Sequence, residues 1–559
     1  MSACGGSGSD DDDSVIGIDP KTSSAAKAGA GTAVAGSDTA AAAPATVVAG
    51  IGEREAARLL TQATFGPSLA EIERVAAMSA AAYVDEQIAT APTSHLARCR
   101  ALKNADGAVD KNSRTDTWWE LSLTAPDQLR QRVAFALSEI MVVSDRNDSV
   151  GTAYEGLCYY YDILLNHAFG NYRELLEDVT LSPEMGRYLS MLGNRKPDAT
   201  IGRRADENFG REVMQLFSLG LSKLNPDGSL MLDADGKPID VYRQADIENM
   251  ARIFTGWTWG GSTRFFGGTT NWLSAMTPFD SEHDSGAKTL VGNVAVAAGG
   301  TARSDLAIAL DTLYQHPNVG PFIGRQLIQR LVTSNPSRAY VGRVAAAFND
   351  DGHGVRGNLG AVIRAILLDE EARRGVAENP NFGKVREPLL RQTHLWRALD
   401  AQPSINGRYS YRAATVELGQ SPLSAPSVFN FFSPGYSPQG GLRSAGLVTP
   451  EYQLANESSV PTAANRLYTA LFYDYVGNSE ISADAIRVDL SALISQAGDV
   501  DTLLDVLDLL LMSGQMDADV RATLKTHLAA VAVDADDGRA RVQRAVYLLM
   551  ASPQYLVQR

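Results

Sequence analysis

Apolar residues recur at helical spacing along most of the chain after residue 50, and strand-like patterns are rare. In one stripe the apolar positions follow i, i+3, i+4 and i+7, at Ile247, Met250, Ala251 and Phe254. A second stripe over residues 209–217 is similar. Residues with this spacing share one face of an α-helix, which they can bury against a neighbouring helix. We therefore expect an all-α protein, mainly a helical bundle or array.

Two stretches interrupt the helical pattern. Residues 224–242 contain two turn signals, Asn225–Gly228 and Asp235-Gly236, beside short apolar pieces. This arrangement predicts a small β-hairpin inserted between two helices. Residues 258–293 are rich in glycine, threonine and aromatic residues and have no period. We expect a long irregular loop there, and loops of that length in compact domains are usually functional or mobile.

The first fifty residues differ in composition from the rest. Between Cys4 and Gly50 the chain has no Phe, Tyr, Trp, Leu, Arg or Glu. Such a segment cannot bury enough apolar surface to offset the entropy lost on ordering it. We expect a disordered tether over residues 1–50 and a helical domain over 51–470. A C-terminal helical part over 471–559 is expected to pack on the same body.

The start of the chain indicates a cellular location. The run Met1-Ser2-Ala3-Cys4-Gly5-Gly6-Ser7 resembles the end of a bacterial lipoprotein signal, in which a small residue precedes the cysteine that carries the lipid. We expect lipidation at Cys4 and an extracytoplasmic envelope lipoprotein, periplasmic or on the cell surface. The alternative is a chance cysteine near a cytoplasmic N-terminus.

Charge and hydropathy exclude two classes of protein. Acidic residues outnumber basic ones by 65 to 50, which gives a net charge of −15, so a phosphate backbone is repelled over most of the surface. We expect no nucleic-acid partner. The sequence also has no run of about 18 apolar residues, the length needed for a membrane span. The lipid on the cysteine is then the expected membrane attachment.

The remaining cysteines leave two alternatives open. If Cys4 carries lipid, Cys99 and Cys158 can form a disulfide in an oxidising compartment or remain two buried free thiols. A zinc site has little support, because His95 lies four residues before Cys99 but no second pair at ligand spacing follows.

A series of short motifs runs through the chain after the tether. They lie at residues 208–220 (NFGREVMQLFSLG), 246–257 (ending TGW), 283–288 (HDSGAK), 316–317 (HP), 383–388 (GKVREP), 419–420 (GQ), 425–426 (AP) and 549–555. Together they resemble the bacterial domain-of-unknown-function 1800 family over nearly all of residues 51–559. The resemblance implies a helical, extracytoplasmic protein, often encoded beside an exported sulfatase-like partner of the domain-of-unknown-function 1501 family. It implies no activity.

The strongest concentration of polar residues lies between residues 204 and 288. Glu207 and Arg211 are spaced i, i+4, and so are Glu248 and Arg252. These positions can be solvated helix faces. Alternatively the two polar edges meet, and Arg211, Glu212, Glu248 and Arg252 form a buried network that is either structural or part of a site.

The irregular segment adds His283, Asp284 and Lys288. A histidine beside an aspartate can serve as a metal pair or as an acid–base with an orienting carboxylate, and Lys288 can neutralise an anionic substrate group. His283 and Asp284 are thus candidate metal ligands, although the ligand spacing does not support a divalent metal. The full candidate catalytic set is Arg211, Glu212, Glu248, Arg252, His283, Asp284 and Lys288.

Aromatic clusters such as Phe429–Phe432 lie near glycines and prolines. They fit either a sugar-stacking or partner surface or simple core filling. We expect a lipid-anchored extracytoplasmic protein that acts with or on an envelope or secreted partner. The alternative is an extracytoplasmic hydrolase or modifying enzyme that uses the polar site on an anionic or glycan substrate.

Overall fold

The structure is a computed structural model that describes residues 50–533 and 536–559. Within those residues the chain forms 24 α-helices, three short 3-10 helices and three two-stranded antiparallel sheets. The mainly helical fold expected from the apolar periodicity is therefore confirmed. The expected tether, with Cys4, lies outside the described residues apart from Gly50.

Nine helices lie between residues 50 and 190, and one of them is central. Their bounds are α1 Glu53–Ala63, α2 Leu69–Ala76, α3 Ala80–Ala89, α4 His95–Ala101, α5 Lys111–Thr124, α6 Gln128–Ser138, α7 Tyr154–Asn166, α8 Tyr172–Leu181 and α9 Pro183–Tyr188. Side-chain caps start several of them; at α2, Ser68 and Glu71 form a reciprocal capping box. Every residue of α6 is buried, because α1, α3, α5 and α7 pack around it.

The middle of the chain alternates helices with short strands. The elements are α10 Asn208–Gln215, α11 Gln244–Ile253, β1 Trp257–Thr258, β2 Thr277–Pro278, β3 Lys288–Leu290, the 3-10 helix Val291–Asn293, β4 Val294–Val296 and α12 Ala302–Gln315. Strand β1 pairs with β2, and β3 pairs with β4. The stretch 258–293 is therefore more ordered than its composition suggests, because its two ends are held in antiparallel pairs.

The predicted hairpin is present only as isolated contacts. Both turns close as expected, with Gly228 N donating to Asn225 O at 2.9 Å and Gly236 N donating to Asp233 O at 3.1 Å. On either side of the turns the chain makes single β-bridges, such as Leu224 with Leu230 across the first turn, and no continuous ladder. Turn chemistry is local and could be predicted, whereas the pairing depends on packing against neighbouring helices.

The rest of the chain completes the helical body. Its elements up to residue 454 are α13 Val319–Leu331, α14 Arg338–Asn349, α15 Leu359–Leu368, α16 Glu370–Arg374, the 3-10 helix Gly375–Ala377, β5 Lys384–Val385, α17 Pro388–Ala398, α18 Ala414–Glu417, α19 Gly441–Ser444 and the 3-10 helix Pro450–Leu454. The last elements are α20 Ser459–Phe472, α21 Ser491–Ile494, α22 Val500–Met512, α23 Ala518–Ala529, α24 Arg539–Ala551 and β6 Val557–Gln558. Helix α22 packs against α1 and α17, and β6 pairs with β5.

Apolar side chains from these helices join in one core. Near its centre the rings of Trp118, Trp119, Trp396 and Tyr411 contact one another edge-on, with centroids 4.9 to 5.4 Å apart. This geometry is the preferred one for aromatic pairs, and it fastens α5 to α17. Across residues 50–533 and 536–559, no helix has both the length and the apolar character needed to cross a bilayer.

Candidate functional site

Four of the seven predicted site residues lie close together, around a carboxylate that sequence reasoning missed. Asp305, on α12, has its Oδ2 2.7 Å from Lys288 Nζ and 3.1 Å from His283 Nε2. These three side chains are at most 2% exposed, so the attraction between opposite charges is little screened. Lys288 also donates to the backbone carbonyl oxygens of Asp284 and Gly286. The network fastens the irregular segment to α12.

Asp284 connects the same segment to α11. Its two carboxylate oxygens accept hydrogen bonds from Arg252 at 2.7 and 3.0 Å. Burial alone raises the pKa of Asp284, but hydrogen bonds from Arg252 and from the Gly286 amide, with the charges of Arg252 and Lys288, hold that pKa below its ordinary value. Asp284 therefore stays ionised at neutral pH and keeps its bidentate pair.

His283 is enclosed by the protein. Its Nδ1 lies 3.0 Å from the carbonyl oxygen of Thr255, and its Nε2 faces Asp305. Both ring nitrogens are thus engaged, and the side chain is 0% exposed. Within the two described ranges, no group of three or more His, Cys, Asp or Glu side chains is placed to hold a metal ion. The predicted metal pair, His283 and Asp284, instead faces two different partners.

The other three predicted residues lie outside this network. Arg211 Nη2 is 3.0 Å from Glu207 Oε2, and both side chains are partly exposed. The amide of Gln244 donates to Glu207 at 3.0 Å and to Glu248 at 3.4 Å, so Glu248 belongs to the same surface row. Glu212 is buried, and burial raises its pKa. A catalytic role for any of the seven stays a prediction.

An apolar groove of about 580 Å³ lies elsewhere on the molecule. Its walls are residues 215–230, one face of α13 and the loop 428–435. Gly220 brings two of these walls together: its φ of 75° suits glycine, and a Cβ there would come within 2.8 Å of the Phe322 ring. The close packing of Gly220 on Phe322 sets the position of the 215–230 wall against α13.

The rim of the groove exposes large apolar side chains. Leu221 is 60% exposed, Leu230 48% and Phe429 55%. Single exposed apolar residues need no explanation, but several around one concave surface are typical of a binding site. Phe429 belongs to one of the aromatic clusters singled out in the sequence, and the structure places it at this rim.

The floor of the groove is polar, and part of it lacks hydrogen-bond partners. Gln326, Gln329 and Arg330 from α13 lie there beside Glu139, which follows α6. Within the described ranges, Gln326 Nε2, Gln329 Oε1, Arg330 Nε and Glu139 Oε2 are buried without a hydrogen-bond partner. Buried polar atoms are normally satisfied. Arg330 Nε and Glu139 Oε2 lie 3.7 Å apart as an ion pair. Gln326 Nε2 and Gln329 Oε1 are therefore the two atoms for which a ligand can supply the missing partners.

Behind the floor lies a cluster of buried charges. Lys384 Nζ is 3.1 Å from Glu451 Oε1 and 3.5 Å from Glu387 Oε1. Burial, and then the nearby charge of Glu387, raise the pKa of Glu139 well above its ordinary value. This cluster could hardly be predicted from the sequence, because its members come from distant segments. The motif 383–388, which holds Lys384 and Glu387, was the one local signal.

The comparison with protein families settles the relationship. The family model described as "Protein of unknown function (DUF1800)" matches residues 58–557. The chain belongs to the DUF1800 family. The resemblance read from the motifs is therefore confirmed. No curated protein and no solved structure matches the chain.

The two cysteines of the DUF1800 body lie side by side. Cys99 on α4 and Cys158 on α7 are both free and buried. A hydrogen bond between the thiols lowers the pKa of Cys99 and raises that of Cys158. The sequence left open whether these cysteines form a disulfide or remain free thiols, and in the structure they are free thiols.

One buried carboxyl in this DUF1800 chain has a testable effect on stability. Glu184, on α9, is 0% exposed, and within the described ranges neither carboxyl oxygen has a hydrogen-bond partner. Burial raises its pKa well above the ordinary value. Replacing an unsatisfied buried polar group by an apolar one of similar shape removes the desolvation cost, about 1–3 kcal/mol. We expect Glu184→Met to raise the free energy of unfolding.

The gain should depend on pH. In the unfolded chain Glu184 loses its proton at its ordinary pKa, about 4.3. In the folded protein it loses the proton at a higher pH. Wild-type stability therefore falls as pH rises from there through the raised folded pKa. Urea unfolding at pH 5 and pH 8 should show a larger gain at pH 8. The exposed Glu174 on α8 supplies the control, and equal effects of Glu184→Met and Glu174→Met would contradict the interpretation.

Proposed function

We propose that this protein is a lipid-anchored, extracytoplasmic member of its family that holds an apolar polypeptide segment of an envelope or secreted partner in the groove. One observation carries the proposal: a groove with an exposed apolar rim and, within the described ranges, unpartnered polar atoms on its floor. The location and the lipid at Cys4 rest on the sequence alone.

A polypeptide fits the groove because it supplies both kinds of chemistry at once. Gln326 Nε2 can donate to a backbone carbonyl, and Gln329 Oε1 can accept from a backbone amide. Main-chain hydrogen bonds of this kind give affinity for an extended peptide, and apolar side chains then fill the walls. A purely aliphatic ligand would leave these polar atoms buried without hydrogen-bond partners, which costs free energy.

The mouth of the groove adds a preference for negative charge. Arg325 lines it and is exposed, and in the described part of the chain its guanidinium forms no ion pair. A free guanidinium near an apolar wall favours a carboxylate, which it can bind through two hydrogen bonds. The expected segment is therefore apolar with an acidic side chain or a terminal carboxylate at one end. An exported sulfatase-like protein is the partner that the motif resemblance suggests.

The experiment is site-specific photo-cross-linking in the native host. A photoreactive phenylalanine at position 429 should cross-link a segment of one envelope or secreted protein. The same group at Tyr468, 42% exposed and outside the groove lining, should not. Mass spectrometry of the same membrane fraction should find lipid on Cys4. Products at position 429 that contain only lipid, or an unmodified Met1, would overturn the corresponding part of the proposal.

A synthetic peptide of the cross-linked segment then tests the floor. Gln326→Leu removes an unpartnered donor, so it should leave unfolding stability unchanged or higher. Binding of the peptide should nevertheless weaken roughly tenfold, the value of one well-made hydrogen bond in a dry site. Equal affinity of wild type and Gln326→Leu would show that the floor does not contact the segment.

A further inference from the structure

A second cavity, separate from the groove, collects positive charge. It has a volume of about 620 Å³ and lies between residues 147–149 and the loop 187–206. The charged residues in its lining are Arg187, Arg195, Arg203, Arg204 and Asp206. Four arginines against one carboxylate stand out in a chain whose net charge is −15. Such a local reversal of sign concentrates anions at one place on the surface.

Two of the four arginines are free to bind a ligand. Arg195 forms an ion pair with Glu282 at 2.6 Å, and Arg203 lies 3.7 Å from Asp198. The side chains of Arg187 and Arg204 are exposed, and within residues 50–533 and 536–559 they form neither ion pairs nor hydrogen bonds. A guanidinium presents paired N–H donors that match the oxygens of a carboxylate, sulfate or phosphate.

The cavity is held in shape from within. Asn194 is buried and clamps the loop, because its amide donates to Asp206 O at 3.2 Å and its carbonyl accepts from Asp206 N at 2.9 Å. Ser190, in the lining, has a φ of 63°, a conformation that costs free energy for a residue other than glycine. A fixed loop loses little entropy when a ligand binds.

The uncharged lining indicates what kind of anion fits. The Ser149 hydroxyl already donates to Asn147 Oδ1 at 2.6 Å. Asn147 still offers its amide N–H groups and Ser190 its hydroxyl, and the half-buried Tyr188 offers an aromatic ring. Hydroxyl-rich ligands use such groups for hydrogen bonds and can stack on the ring. The volume is in the range of small-molecule sites and far exceeds that of one inorganic ion. We propose that this cavity binds an anionic saccharide, with its acidic group on Arg187 and Arg204.

The test is calorimetric titration of the full-length protein with three short oligosaccharides, which carry a carboxylate, a sulfate and a phosphate. At least one should bind, and which one binds identifies the acidic group. Maltotriose, which is neutral, should not bind. Arg187→Gln with Arg204→Gln should weaken the binding by roughly tenfold or more, because two charge-assisted contacts are lost. The thermal midpoint should not change, because both side chains are exposed.

Two controls keep the inference falsifiable. Arg243→Gln with Arg544→Gln removes the same charge from exposed positions elsewhere and should leave binding intact. Inorganic pyrophosphate should bind far more weakly than the saccharide. Failure of all three saccharides, pyrophosphate binding of equal strength, or equal losses in the two double variants would each overturn the proposal. None of these results bears on the groove, which shares no lining residue with this cavity.

Discussion

Asp305→Asn should lower the free energy of unfolding by about 3–5 kcal/mol, the usual loss when one partner of a buried ion pair is removed. The substitution keeps the shape of the side chain but removes the negative charge. The buried Lys288 ammonium then has only neutral partners, which include the carbonyl oxygens of Asp284 and Gly286. His283 loses its carboxylate at the same time. Urea unfolding measures the total loss. Hydrogen exchange should rise first around residues 283–288, which the network holds against α12.

The same helix provides the control. Asp311 is also paired with an arginine, Arg173, but its side chain is 64% exposed. Asp311→Asn should change stability by less than about 1 kcal/mol. Adding Lys288→Met to Asp305→Asn should recover much of the loss, because no unpaired charge then remains. Similar losses for Asp305→Asn and Asp311→Asn, or no recovery in the double variant, would show that the network does not hold this segment.

Lys384→Met should cost a similar amount, about 3–5 kcal/mol, because it leaves two buried carboxylates without their nearest cation. Lys384 lies between Glu387 and Glu451, and the three side chains are at most 1% exposed. Burial already raises the pKa of Glu451. Loss of the cation raises it further, so the folded form of the variant holds its proton to higher pH than the unfolded chain does. The variant should therefore lose stability, relative to wild type, as pH rises above about 4.3.

Thermal unfolding at several pH values measures this effect. Lys525→Met is the matched control, since Lys525 is 53% exposed and pairs with Asp501; its effect should be small at every pH. Glu451→Gln should partly restore Lys384→Met by removing one of the uncompensated charges. A loss that is independent of pH would mean that Lys384 acts through packing and not through its charge.

The helices and turns could be predicted because their signals are local. The stripe at 247–254 forms α11, and the two predicted turns close with the expected hydrogen bonds. How α10 and α11 meet could not be read from either helix alone. A Cβ at Gly210 would come within 3.0 Å of Ala251 N, so the backbones approach there. The residues flanking this contact, including Arg211 and Glu248, then lie toward solvent.

The neighbouring sequence does not indicate which residues complete each buried cluster. Asp305 follows Thr301 and Ser304, which form a capping box at the start of α12, so an acidic residue in that first turn suggests a helix cap. Its contact with Lys288 depends on how the irregular segment folds back. The floor of the groove combines Glu139 with Arg330 from another part of the chain, and no spacing rule connects such positions.

The pairing of β5 with β6 has a consequence for how the protein is made. Gln558 donates to Leu331 O across 227 residues, and β6 covers the strand that carries Lys384. The backbone behind the groove floor is therefore completed only after residues 557–558 have been synthesised, later than every residue that lines the groove. Contacts between such distant parts of a chain form late and slowly. A partner that needs the finished groove would thus engage only chains whose translation has reached residue 558, so partially synthesised chains would not compete for it.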